Sequence, residues 1–501
     1  MEQPYWTAGV PMPAAPPLDR DLSVDVVVVG GGLTGATAAL LMKEAGLQVA
    51  LVERGRCGGG DTSHTSAHLT AVTDHTFSHL VQHLGRPQAE ATWDGGYAAL
   101  HEISQIIRRY DIECGFEWVP GFLTTRWVHD DAKDVATLAD IASDASASGF
   151  DAITVDRAPG VGVPAIRFDH QARMRPMHYL RGVLAAIPGG GSFVFEHTNV
   201  TSVDDDPLVV RCGDYAISTR FVVVATHMPI AGTTPMLKAT LLQTDLYAYS
   251  SYVISAQVER GAWPDALLWD LSDPYYFVRL DPGTTHDTVI VGGCDHKTGQ
   301  LDDTRRPFEH LASMLHRWLP DARITHQWSG QIVESRDGLP YIGETAPGQF
   351  VITGFSGNGI TFGTLGAMMA RDCMRGQSNP WQELFNVNRT HLTKGLWTYV
   401  RENADFPYYF IRDRFSGPEG RDLRAVERGE GRIIDLRGNR VAAYRHPSGT
   451  LTVLSPTCPH LGCQVAWNTA ESTWDCPCHG SRFSPTGSVI SGPAENNLHT
   501  F

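Results

Sequence analysis

Asp25-Val26-Val27-Val28-Val29-Gly30-Gly31-Gly32-Leu33-Thr34-Gly35 reads as a short buried strand that runs into a glycine turn, and the residues after it, Ala36 to Ala45, read as a helix ending at Gly46. Four consecutive valines suit a pleated strand covered on both faces. Gly30 allows the tight turn, Gly32 lets a pyrophosphate approach the backbone at a helix N-terminus, and Gly35 lets helix and strand pack closely. Leu33 and Thr34 supply the first helical amides. A second strand, Leu47 to Val52, ends in Glu53, eighteen residues beyond Gly35, where a carboxylate can accept both hydroxyl bonds of a ribose. The order strand, glycine turn, helix, strand, acid predicts a dinucleotide site; the bland alternative is a glycine turn in an ordinary α/β unit.

The 501 residues suggest about three domains, and 42% hydrophobic with 19% charged residues is ordinary for a globular chain. No apolar run approaches the roughly 18 residues that span a bilayer. Met1 to Leu18 is proline-rich without a basic start and apolar core, so residues 1–21 read as a loose arm, not a secretory signal, and the expected location is cytoplasmic. A net charge of -15 argues against non-specific nucleic-acid binding, while an acidic surface also suits docking of a basic electron carrier. Five of the nine cysteines, Cys57, Cys114, Cys212, Cys294 and Cys373, are scattered without paired spacing and read as reduced core thiols.

The other four lie in two late loops, Cys458-Pro459-His460-Leu461-Gly462-Cys463 and Cys476-Pro477-Cys478-His479-Gly480-Ser481. Two thiolates and two imidazoles at short spacing suit either an iron–sulfur cluster or a tetrahedral zinc ion. A zinc knuckle has no need of the second cysteine that follows in both loops. From about Gly431 through Gly492-Pro493-Ala494 the sequence resembles the Rieske [2Fe-2S] proteins of respiratory and photosynthetic cytochrome complexes. The resemblance implies that Cys458 and Cys476 hold one iron, that His460 and His479 hold the other, and that Cys463 and Cys478 form a disulfide tying the loops together. Ser481 is placed to donate its hydroxyl to a cluster sulfur. Phe483 departs from the high-potential members, which have tyrosine there; without that phenol hydrogen bond the expected potential is lower.

One glycine fingerprint and no second one later leaves no separate NADH module, so electrons must come directly from a substrate. Over roughly residues 22–376 the chain resembles the D-amino-acid oxidase superfamily of FAD-dependent amine and amino-acid oxidoreductases, on four segments. Gly60 to His68 corresponds to the loop along the pyrophosphate, which makes Thr62, Ser63 and Ser66 FAD contacts. Thr65 stands where some relatives carry the histidine that attaches FAD covalently, with His64 and His68 nearby. Glu196 to Val200 and Phe221 to His227 match the pair against the adenine, contacting it through the backbone of Val200 and Ala225. Asp337 to Gly343 and Gly354 to Gly363 complete the match, with Gly357, Gly359, Ile360 and Thr361 at a helix start beneath the flavin.

Between these segments, strand-like runs Tyr252 to Val258, Tyr275 to Leu280 and Thr288 to Gly292, with an amphipathic helix near Phe308 to Trp318, predict a β-rich substrate domain. In the superfamily such a sheet roofs the flavin, often with an arginine gripping a substrate carboxylate. Arg279, with Tyr275 on the same strand face, is the candidate, and a surface arginine beside core aromatics is the alternative. The organisation expected is therefore an α/β FAD-binding Rossmann-like domain interleaved with that substrate domain over residues 22–378. A packed aromatic connector follows over 379–420, then an all-β Rieske domain over 421–501. The leading functional reading is oxidation of a small amine or amino acid at a CH–NH bond, with electrons passing from FAD to the cluster and an external acceptor. A redox sensor without substrate turnover and an oxygen-using oxidase with a regulatory cluster are the alternatives. No second metal motif, nucleophile triad or oxygenase iron site is found.

Overall fold

The computed structural model describes residues 4–128, 132–229, 245–389, 420, 423–436 and 438–501. Strand Val26–Val29 sits mid-sheet, flanked in parallel register by Val49–Val52 and Phe221–Val224. Phe193–Phe195 and Gln349–Thr353 extend this sheet, and Tyr341–Ala346 closes one edge antiparallel. All four valines of Val26–Val29 are buried, as a strand covered on both faces requires. Helix Leu33–Glu44 begins at Gly32, which caps it with no side chain, and the Leu33 amide donates instead to the Thr62 hydroxyl at 3.1 Å. Gly30 has φ +112° and packs against the Ala225 carbonyl, while a Cβ on Gly35 would lie 1.9 Å from the Gly30 oxygen. The fingerprint is thus enforced by sterics.

The second layer is a nine-stranded sheet. Its main path runs Arg323–Ser335, Leu246–Val258, Asp287–Lys297, Phe277–Asp281, Leu267–Asp270, Glu117–Thr124, Ala165–Arg173 and His68–Leu69. Helix Arg306–Trp318 covers one face, burying Phe308, Leu311, Met314 and Leu315 against Tyr252, Ile254 and Val289. The spacing of those four is the apolar stripe of an amphipathic helix. The long strand Arg323–Ser335 escaped the sequence reading because its residues show no clean apolar alternation.

The arm expected to be loose is packed. Trp6 is buried, its indole donates to the Thr65 carbonyl at 2.6 Å, and the Tyr5 hydroxyl donates to Asp281 at 2.7 Å. Two large aromatics gain more from burial than a short arm loses in freedom. The C-terminal part consists of two small antiparallel sheets, Gly431–Leu436/Asn439–Arg445/Leu451–Leu454 and Ala466–Asn468/Thr473–Asp475/Arg482–Phe483/Val489–Ser491, around a core of Trp474, Phe483, Leu454 and Leu498. Of the connector, Trp381 and Phe385 pack against the body, whereas Trp397, Tyr399, Tyr408 and Tyr409 lie outside the described residues. Among the described residues no helix is long and apolar enough to cross a membrane.

Candidate active site and cluster loops

A cavity of about 1120 Å³, partly open to solvent, lies between the two sheets. Leu33 and Thr34 line it from the fingerprint helix, Thr62 and Ser66 from the following loop, and Gly357, Gly359 and Ile360 from the start of helix Gly359–Met374. The roof comes from the nine-stranded sheet, with Ser251, Val253, Trp269, Tyr275 and Phe277. Asn358 and Thr361 tie the glycine turn to the loop opposite: the Asn358 amide donates to the Val72 carbonyl at 3.2 Å and the Thr361 hydroxyl to the Thr70 carbonyl at 3.0 Å.

Gly30, Gly32, Gly35, Glu53, Val200 and Ala225 lie away from this space, around the end of strand Val26–Val29. The Glu53 carboxylate accepts from the Gly31 and Gly55 amides at 2.8 and 2.7 Å, which fixes it beside the turn. Ser63 is turned inward, donating to the Gly60 carbonyl at 2.9 Å, and is not among the lining residues. Arg279 does not line the cavity. Its guanidinium is fully buried over the Trp6 ring, 5.2 Å from the centroid, and donates to the carbonyls of Ala67 and Met174, with Asp281 beside it at 3.8 Å. Tyr275 and Phe277 reach the cavity; Arg279, two residues further along the same face, passes beyond its edge into the core.

Four residues without a motif join the site. Asp74 lies deep in the protein mass, yet its carboxylate is solvent-accessible through the cavity. It accepts from the Tyr275 hydroxyl at 3.0 Å and the Gly357 amide at 2.6 Å. Asp295 stands next to Ser251, and burial pushes its carboxyl up to about 7. His68 lines the cavity with neither ring nitrogen partnered, and burial together with Arg279 drives its pKa down to about 3, so the ring is neutral. Gln331 also lines the cavity, its backbone N–H donating to Asp61 at 3.0 Å. A helix N-terminus, a glycine-bounded turn and buried polar atoms on His68, Ser251 and Gln331 that find no partner among the described residues are what a polar ring system and its phosphates would satisfy.

The two cluster loops meet face to face. Cys458 and Cys476 are buried with their sulfurs in contact, while the partly buried rings of His460 and His479 lie 4.9 Å apart, nearly perpendicular. Burial lowers the pKa of both imidazoles to about 4, which keeps the rings neutral, the form that binds metal. Cys463 and Cys478 are joined in a disulfide, and the Cys476 sulfur lies within 4.8 Å of both. Those two sulfurs are engaged with each other, so the donor set left is two thiols and two imidazoles. Such a set fits a mixed-ligand iron–sulfur cluster. The Ser481 hydroxyl faces Cys458 and accepts from the Ala494 amide at 3.1 Å, and Phe483 is fully buried beside the loops. The scattered cysteines are free thiols, as expected.

The second loop docks on the body. The Gln331 side-chain amide donates to the Gly480 carbonyl at 2.7 Å, and Gln300 donates to the Pro477 carbonyl at 3.0 Å. Glu471 accepts from the Ser329 amide at 2.8 Å and from the Ser329 hydroxyl, and is paired with Arg482, which also contacts Asp475 at 3.2 Å.

Comparison with known proteins agrees with both halves. Residues 25–372 match the family model "FAD dependent oxidoreductase" (DAO), and residues 421–501 match "Rieske [2Fe-2S] domain". The chain is 29% identical over 500 residues to "Putative Rieske 2Fe-2S iron-sulfur protein YhfW" of Bacillus subtilis, covering 98% of this chain and 96% of that one. It is 23% identical to the gamma-glutamylputrescine oxidoreductase of Escherichia coli, over 79% and 94% of the two chains. In fold it is similar to glycine oxidase from Geobacillus kaustophilus, at TM-score 0.62, 18% identity and coverage of 74% and 99%. L-proline dehydrogenase from P. horikoshii is similar too, at 0.60, 17%, 74% and 98%. With a fingerprint and cavity shaped for FAD, and cluster loops on the wall beside it, the chain belongs to the DAO family of FAD-dependent oxidoreductases and carries a C-terminal Rieske [2Fe-2S] domain.

Proposed function

We propose that this protein is an amine or amino-acid dehydrogenase that passes electrons to an external acceptor through its own cluster. The observation that carries the reading is the docking of the second cluster loop on the cavity wall. Gln331 lines the cavity and also holds the carbonyl of Gly480, the residue after His479. One side chain therefore reaches from the cavity that would receive the flavin to the residue beside the cluster ligand His479.

When bound, FAD supplies a two-electron acceptor for the hydrogen released as the substrate's C–H bond gives way to C=N, and the cluster supplies one-electron carriage, two transfers per substrate. In this assignment Cys458 and Cys476 hold one iron and His460 and His479 the other. Gly30, Gly32, Gly35 and Glu53 hold the adenosine diphosphate end, with Thr62 and Ser66 further along. Trp269, Phe277 and Val253 present an apolar roof that excludes water, and Tyr275 and Asp74 are the polar pair that positions the substrate nitrogen. Positioning is the main demand, since holding a C–H bond against its acceptor is worth several powers of ten in rate. An amine that enters as its ammonium first gives one proton to solvent; the neutral amine then loses the C–H hydride and a second N–H proton, and the imine formed takes up water to give a carbonyl compound and free amine.

The test is anaerobic spectroscopy of the purified holoprotein with amines, amino acids and hydroxy acids. Bleaching of the flavin by one class, followed by the paramagnetic signal of a reduced mixed-ligand cluster, is the expected result. If no compound bleaches the flavin, the dehydrogenase reading falls. Flavin bleaching with a cluster that stays oxidised overturns the electron path.

A further inference from the structure

The charge of the cavity separates amines from amino acids. Among the described lining residues there is no arginine or lysine, and the basic groups are three histidines, of which His68 is neutral. Arg279, the one cation on the roof strand, is sealed in the core by Trp6 and two carbonyls. A substrate carboxylate brought into such a space would lose its hydration and find no opposite charge.

Opposite charge is instead supplied for a cation. Asp74 offers both oxygens as acceptors to Tyr275 and Gly357, the pattern of an ionised carboxylate with lone pairs to spare. Behind it, Asp295 Oδ1 and the Ser251 hydroxyl are shielded from water and have, among the described residues, no partner beyond each other; Ser251 is 5% exposed and lines the cavity. Burial raises the pKa of Asp74 and of Asp295, a state that a bound cation would reverse by favouring both carboxylates. The rings of Tyr275, Phe277 and Trp269 add electron-rich faces on the same side.

We infer that the substrate is a cationic amine without a carboxylate, its ammonium group received at the end of the cavity formed by Asp74, Tyr275 and Ser251. The inference rests on the dehydrogenase reading and narrows its substrate class.

The experiment pairs compounds that differ by a carboxylate: 1,4-diaminobutane and N-methylbenzylamine against ornithine and N-methylphenylglycine, mixed anaerobically with holoprotein. Tetramethylammonium and acetate serve as unreactive probes, read by the change each causes in the visible absorption of the bound flavin. The expected result is bleaching by the amines, a spectral change with tetramethylammonium, and none with acetate. Asp74→Asn should raise KM for the amine about tenfold more than it lowers kcat, the loss of one charge-assisted contact. Because Asp74 also holds the Gly357 amide, Asp295→Asn on strand Asp287–Lys297 provides a second variant, expected to weaken tetramethylammonium binding. Bleaching by the amino acids and not the amines, or unchanged KM and probe binding in both variants, overturns the inference while leaving a dehydrogenase. Bleaching by none of them overturns both.

Discussion

Gly299 is where the body touches the backbone of the second cluster loop, and an added methyl there should separate the two. A Cβ on Gly299 would lie 2.8 Å from the Pro477 nitrogen and 2.9 Å from the Cys476 carbonyl carbon, about 0.6 Å short of ordinary contact. Neither atom can swing aside, because the Cys476 amide is bonded to the Ser481 carbonyl and Gln300 holds the Pro477 carbonyl. Gly299 also has φ +80°, which a residue with a Cβ adopts at a cost of about 1–2 kcal/mol. That strain is present whether or not the loop is docked, so only the overpacking of roughly 1–3 kcal/mol weakens docking in Gly299→Ala. The docked-to-undocked ratio then falls by roughly 5-fold to 150-fold.

The assay is light-driven anaerobic reduction of the flavin, which needs no substrate, followed by the absorbance of the cluster as it accepts an electron. Cluster reduction should slow in Gly299→Ala, while flavin reduction and the paramagnetic spectrum of the dithionite-reduced cluster stay as in the parent. Gly261→Ala is the control: its φ is +77° and nothing lies within 4 Å of the added methyl, so it carries the strain without the wedge. Cluster reduction at the parental rate in Gly299→Ala would refute the docking path.

Phe483→Tyr, placing a phenol beside the cluster loops, should raise the midpoint potential in a redox titration monitored by paramagnetic resonance; an unchanged or lower value refutes the reading of Phe483. Asp295 has a folded pKa raised by burial to about 7, so its ionised form is disfavoured and stability falls as pH rises from about 4 to 7. Asp295→Asn should therefore match the parent near pH 4 and exceed it at pH 8 by up to about 4 kcal/mol, read as a difference in thermal midpoint that grows over that window. Arg279→Met should lower thermal stability, by roughly 3–5 kcal/mol for a charged group removed from buried partners, while leaving KM for an oxidised amine unchanged.

The parts of this molecule legible in its sequence are those where chemistry restricts residue type locally. Gly35 is dictated by its contact with the Gly30 carbonyl, which arises within one strand, turn and helix. The cluster loops are legible for the same reason, since thiolates and imidazoles must come at short spacing. Arg279 shows the limit. Alternation along Phe277–Asp281 gives the face of the sheet but not how far the cavity extends beneath it, and the arm that brings Trp6 over Arg279 lies more than 270 residues away. Asp74, Asp295 and Gln331 carry no local signal because each is a lone polar residue, gathered at one site only by the closing of the sheet. Nothing in a strand's own sequence says which neighbour will expose its polar group to a cavity.

The interface itself argues for orientation over stability. Burial pushes the Glu471 carboxyl up, but Arg482 and the two donors on Ser329 more than offset this and hold it below the ordinary carboxylate range. Taking Glu471, Arg482 and Asp475 out of water carries a desolvation penalty that an apolar contact of the same area would avoid. An apolar contact, however, tolerates sliding, whereas this one has a single register: Ser329 must meet Glu471, Gln331 must meet Gly480, and Gln300 must meet Pro477. Ser329 and Gln331 lie on the strand that walls the cavity, and Pro477 and Gly480 flank His479. A register error of one strand residue would turn Gln331 to the opposite face and break its bond to the cluster loop. Fixing that register is what a one-electron relay requires of its scaffold, and it gives the buried charges a purpose that packing alone does not.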